Sequence, residues 1–234
     1  MSKKRARRHH VVSNFYLKGF ANDEGHLTQI HLPGDHRHTV DTGSATVATD
    51  FYTVQLPDGS PSDVVEEAFA DIEGPASTAL RAVLEGEWPV RMQHREDLAA
   101  WLALQYLRGT GMRTSQTQMR AQMLKLIVGV SGKDALRSHI EAAEGFELSD
   151  EDLDAEWNDI IKPGGPDLEE DGMFHIAMIF DMWPGLTSVF AQTHWSLIRF
   201  ERRSLLTSDH PVALFSHPDH PEFLGVGVLN AAGV

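Results

Sequence analysis

Leu98-Ala99-Ala100-Trp101-Leu102-Ala103-Leu104-Gln105-Tyr106-Leu107 is apolar on almost every side of a helix. Such a helix has no face to offer to water, so it is the central, buried element of its fold. It begins near Gln93, and Gly109-Thr110-Gly111 interrupts it. Two polar residues stand at its end. Gln105 and Arg108 are three apart and share one face with Leu98, Trp101, Leu102 and Met112. A guanidinium on that face must find acceptors, because an unpaired buried charge is very costly.

Upstream, Val65, Ala68, Phe69, Ile72, Ala76, Ala79, Leu80 and Val83 keep the 3.6-residue rhythm of a second helix. Ser62, with Glu66 and Glu67 behind it, is its N-terminal signature. Gly74-Pro75 lies inside the pattern and predicts a kink or break. Glu66 and Glu73 are seven apart, on one face beside Phe69. Carboxylates next to a core stripe need cations, protons or metal. Arg108 is therefore expected to pair with a carboxylate of this helix, most simply Glu73. That pair fixes helix packing in one reading and lines a ligand pocket in the other.

Downstream, Ser131 to Gly145 and Ser149 to Ile161 read as short helices, the second with acids at its start. Pro163-Gly164-Gly165-Pro166 is the clearest linker, and Asp167 to Gln192 is an apolar helix broken at Pro184-Gly185. Strand patterns occupy both ends. His26 to Leu32 and His36 to Val40 flank Pro33-Gly34-Asp35 as a hairpin, and Asp50 to Val54 is a third strand. Trp195 to Phe200, Ser204 to Thr207, Val212 to Phe215 and Phe223 to Val228 close the chain. The order β, α, β gives an α+β fold. Its helical core is expected to carry one small mixed or antiparallel sheet built from N- and C-terminal strands. The expected domain plan is a basic flexible arm over residues 1–10, then a single domain over 11–234.

With 234 residues, 41% hydrophobic and 23% charged, the chain is ordinary globular material. It has no cysteine, which excludes disulfides, thiolate zinc sites, iron–sulfur clusters and cysteine nucleophiles. No secretory signal and no membrane-length run is read, so the expected location is the cytoplasm. The net charge is −14, yet Lys3, Lys4, Arg5, Arg7 and Arg8 crowd the first eight residues. The remainder carries 15 basic against 34 acidic residues. Only the arm offers a nucleic acid the cations it needs; the plainer reading is a solubilising tail.

Thirteen histidines invite a metal reading. His9 and His10 are adjacent, so in a strand they face opposite ways and at most one joins a given site. His36 and His38 share a face in what reads as exposed loop. HExxH, GxSxG, GxxxxGK[ST] and GxGxxG are all absent. Thr207-Ser208-Asp209-His210-Pro211 displays an acid and an imidazole between two expected strands, or simply makes a turn before proline.

Several of these pieces occur in one order. His9-His10-Val11-Val12-Ser13-Asn14-Phe15-Tyr16-Leu17-Lys18-Gly19-Phe20 resembles the opening of the bacterial family catalogued as domain of unknown function 4238. Asp50-Phe51-Tyr52, Ile72-Glu73, Gln105 with Arg108 and Arg113, and Trp195 followed by Thr207 to Pro211 complete the resemblance along roughly the whole chain. Ser13 departs from it, since proline is commoner there, a change expected to touch only the start of the first helix. Family members tend to run past the last strand. The expectation is thus either a missing C-terminal strand or a naturally shorter protein.

The resemblance implies no established activity, but it groups His10, Glu73, Gln105, Arg108 and Asp209 in one site. The leading expectation is a metal-dependent hydrolase, phosphodiesterase or nuclease-like. His10, Glu73 and Asp209 would hold a divalent ion, Mg²⁺, Mn²⁺ or Zn²⁺. Arg108 would stabilise developing charge and Gln105 would orient ligand or water. Arg113, His9 and His210 are the accompanying binding residues. The competing expectation is a non-catalytic module, recognising a small anion or a protein through Arg108 and Arg113, around a structural Glu–Arg core.

Overall fold

The computed structural model describes residues 7–34, 36–201, 205–216 and 231–233. The fold is α+β, as expected. Its chain groups into two compact units, Met1–Thr110 with Gly172–Val234, and Gly111–Asp171.

The first unit is built on three long helices. α3 (Met92–Leu107) packs against α2 (Val64–Leu84) and α7 (Gly172–Gln192). Ala99 and Ala103 of α3 are fully buried, and their small side chains let neighbouring elements approach closely. Around them close Val65 and Phe69 from α2, and Ile176, Ile179, Leu186 and Phe190 from α7. Trp183 of α7 adds an indole hydrogen bond to the Ala100 carbonyl at 2.8 Å.

α2 runs through Pro75 and α7 runs through Pro184, where breaks were expected. Tertiary packing on both sides of each proline outweighs one lost backbone hydrogen bond. α7 is also long and apolar enough, by length and composition alone, to cross a membrane, which the sequence reading had not found. Its Ile176, Ile179, Leu186 and Phe190 belong to the core.

The strands form four two-stranded antiparallel ribbons among the described residues, not one sheet. β1 (Arg8–His10) pairs with β4 (Val47–Thr49), with His10 opposite Val47. The last three residues of the expected arm are therefore ordered in a strand, and Arg7 before them holds Asp50 at 2.8 Å. Residues 1–6 of that arm lie outside the described residues. β2 (His26–His31) and β3 (His36–Asp41) form the expected hairpin. β5 (Val54–Gln55) pairs with β6 (Pro61–Ser62), and β7 (Phe215–Ser216) with β8 (Ala231–Gly233).

Among the described residues N- and C-terminal strands do not pair, and each short ribbon satisfies its own backbone locally. Asp50 to Tyr52 is a turn rather than a strand, with Asp50 at φ 53°. Residues 195–200 and 205–207 are irregular. The expected strand at 223–228 falls outside the described residues.

In the second unit, α4 (Thr110–Ser131), α5 (Lys133–Glu144) and α6 (Asp150–Ile161) enclose Val128, Leu136, Leu148, Leu153 and Ile160. Ser149 caps α6 by accepting the Asp152 amide at 3.1 Å. The linker after α6 folds onto α4. Gly165, at φ +84°, lies so close that a Cβ there would stand 2.6 Å from the Ala121 carbonyl oxygen. Gly165→Ala is expected to destabilise this unit by about 2–3 kcal/mol, combining left-handed strain with that clash. A urea titration followed by Trp157 fluorescence checks it; an unchanged midpoint counts against the close packing.

Candidate functional site

Between β1 and the short helix α1 (Asn14–Leu17), residues Val11, Val12 and Ser13 are buried in the first unit. Two α3 side chains and Arg108, the residue that caps α3, grip this segment. Gln105 accepts the Ser13 amide through Oε1 at 3.2 Å and donates Nε2 to the Val11 carbonyl at 2.9 Å. Trp101 donates its indole N–H to Ser13 Oγ at 2.8 Å. Arg108, only 2% exposed, donates from Nε to the Val11 carbonyl at 2.9 Å, from Nη2 to Ser13 Oγ at 3.0 Å and from Nη1 to Glu73 Oε1 at 2.7 Å. The expected Arg108–Glu73 ion pair therefore forms.

Ser13 is the residue that the sequence reading undervalued. Its position before Asn14 suggests a helix cap, yet it makes no side-chain cap bond. Its two lone pairs take the Trp101 and Arg108 donors, so its proton goes to Glu73 Oε1 at 2.9 Å. A proline there has neither the hydroxyl nor the amide that Gln105 accepts. The change reaches well beyond the start of α1. The only signal in the sequence was a small hydroxyl residue among apolar neighbours.

These contacts give both α3-end polar residues a structural job. Gln105 turns both ends of its amide to the Val11–Ser13 segment, so it clamps that segment. Each nitrogen of Arg108 meets a protein acceptor, so the buried guanidinium ties the N-terminal segment to Glu73. His9 is fully buried; its Nδ1 accepts the Tyr52 amide at 2.7 Å and its ring stacks on Tyr52. The Tyr52 hydroxyl in turn donates to the Arg108 carbonyl at 2.6 Å.

Two partly exposed acid–base groups flank the ion pair. Burial lowers the His10 imidazole from its ordinary range; Glu73 raises it, as does a backbone hydrogen bond at Thr42, while Arg108 and Arg8 lower it. Its Nε2 is buried without a partner. Burial pushes the Glu66 carboxyl up to about 7, Arg108 opposing and Glu73 and Asp63 reinforcing. Its Oε1 is also buried without a partner.

Asp209 has its own partner. Its carboxylate is 64% exposed and faces His210 Nδ1 at 3.1 Å. The segment holding it reaches the first unit's core through Thr207, bonded to the Tyr16 hydroxyl at 2.9 Å, and through the His210 ring beside Gly109. Arg113 is buried within the second unit. His36 and His38 lie exposed on β3. Among the described residues no group of three or more His, Asp or Glu side chains is placed to hold a metal ion. The expected His10–Glu73–Asp209 ligand set is thus not assembled: Glu73 is engaged by Arg108 and Ser13, and Asp209 faces water.

The motifs carried by this geometry match a family model described as a protein of unknown function, DUF4238, over residues 8–233. The chain belongs to the DUF4238 family. No curated protein and no solved structure matches it. The stretch matched by the DUF4238 model takes in β1, the whole Ser13 network, Glu66 and the Thr207 to His210 segment.

Proposed function

We propose that this DUF4238 protein is a cytoplasmic hydrolase acting by general acid–base catalysis beside the Arg108–Glu73 pair, with phosphodiesters the first substrate class to test. Glu66 is the observation that carries the reading: a carboxyl poised near pH 7 with a buried, unpartnered oxygen. Such a group stays protonated long enough to donate, and ionises readily enough to be recharged. His10, kept neutral by burial, offers Nε2 as the matching base. Arg108 and Glu73 position these groups and bias their protonation. No divalent ion enters this scheme.

A second reading, a non-catalytic interaction module around a structural polar core, is supported by the protein partners that Arg108 and Ser13 already hold. The deciding measurement is turnover of bis(p-nitrophenyl) phosphate and of short RNA and DNA by wild type, Glu66→Gln and His10→Gln. The hydrolase reading expects a rate limb near pH 7 and a loss of about 10²–10⁴-fold in kcat for Glu66→Gln. Absence of turnover by wild type, or full activity in both folded variants, leaves the interaction module.

A further inference from the structure

α4 buries Val128 toward α5 and α6 and Ala121 against the Gly165 linker, yet its opposite face is also apolar. Met119, Met123, Leu126 and Val130 follow the 4-3-4 spacing of a coiled-coil seam, with Ile127 alongside. They leave 63, 61, 66 and 81% of their surface in water, and Ile127 leaves 55%. Together that is about 600 Å², at the upper limit of the largest patch on an ordinary monomer and close to the roughly 800 Å² per partner of a standard interface. A groove of about 700 Å³ runs along this face, with Gly164 on its wall.

We infer that this face is a dimer interface, occupied by α4 of a second copy of the chain. A seam with this repeat is complementary to itself, and a two-fold pair is the commonest way for such a surface to close. An antiparallel pair brings Met123 against Leu126 of the second copy and Met119 against its Val130. α4 carries Arg113, Arg120 and Lys125 and no acid. Antiparallel order sets the Arg120 stem beside Ile127 of the second copy, whereas parallel order places the two Arg120 residues at the same level. Gln122 then lies beside Gly129 of the second copy, where nothing stands within 4 Å of a built Cβ. The flexible methionines at the seam adapt to the contact.

Sedimentation equilibrium of the full chain tests this. Wild type is expected at twice the chain mass in the micromolar range, and Met123→Lys with Leu126→Lys at the single-chain mass, a loss of at least about 100-fold in association, with an unchanged circular dichroism spectrum. Because the chain has no cysteine, a mixture of Gln122→Cys and Gly129→Cys chains is expected to oxidise to a covalent heterodimer. A wild type that stays monomeric at about 100 µM overturns the inference. So does a dimer that survives both lysines, since it must use another face.

Discussion

Replacing Arg108 with alanine is expected to cost about 3–5 kcal/mol of stability, the range for breaking a buried ion pair by removing one partner. The loss has three parts. The Val11 carbonyl and Ser13 Oγ are buried and lose a donor each. Glu73, 26% exposed, keeps only the Ser13 hydroxyl and water. A void then opens beside Phe69, whose ring lies 5.8 Å from the guanidinium carbon. Lysine does not rescue the position, because one ammonium cannot reach three divergent acceptors with the geometry of a planar fork. Domains of this size hold about 5–15 kcal/mol in total, so the variant sits near the edge of folding. Its urea midpoint should fall by about 2 M. Trp101 fluorescence is the natural probe, since its indole donates to Ser13. A midpoint within 0.3 M of wild type, roughly the scatter of such extrapolations, would show the network to be dispensable.

The same network shows what the sequence does and does not carry. Periodicity placed α2, α3, α5 and α6 close to their observed ends, because a helix buries a stripe and the stripe is written in local spacing. The Arg108–Glu73 pair was legible for a related reason: a charge on an apolar face has few ways to be satisfied. Strand pairing was not legible. Two residues suffice for β5 or β7, and which segments zip together depends on chain closure that no short window records. The late segment from Trp195 reads as strand by composition, yet Arg95 captures the Ala191 and Thr193 carbonyls and stacks over the Trp195 ring, holding that region as irregular chain.

Site roles were less legible, because they depend on which neighbours reach a side chain. Asp209 sits in the motifs, yet its carboxylate is exposed and faces His210. Ser13 and Glu66 sit in the cluster; a lone hydroxyl among apolar neighbours hinted at the first, and helical spacing with Glu73 at the second. A residue type states what a side chain can do; the neighbours that saturate it or leave it free state what remains.

Glu66 is the clearest case of a group left free, and it gives the second large effect. The folded carboxyl is pushed up to about 7, against an ordinary value of 4.5. The native state therefore holds its proton more tightly than the unfolded chain. Stability from this group is fully present below pH 4.5, falls as pH rises between 4.5 and 7, and is lost above 7. Glu66 is partly open to water, so screening reduces the penalty to about 1–2 kcal/mol. Glu66→Gln keeps the shape and removes the titration. It is expected to be more stable than wild type by that amount at pH 8 and to converge with it at pH 4. His10, whose lowered value costs stability as pH falls, is common to both proteins and largely cancels in the difference. Paired urea titrations across this range are the check. A variant that is less stable than wild type at pH 8, or a difference that ignores pH, would sink the idea that Glu66 is held in a strained protonation state. If the variant is both more stable and inactive, then stability is being traded for a carboxyl poised to move a proton, as sites built for chemistry require.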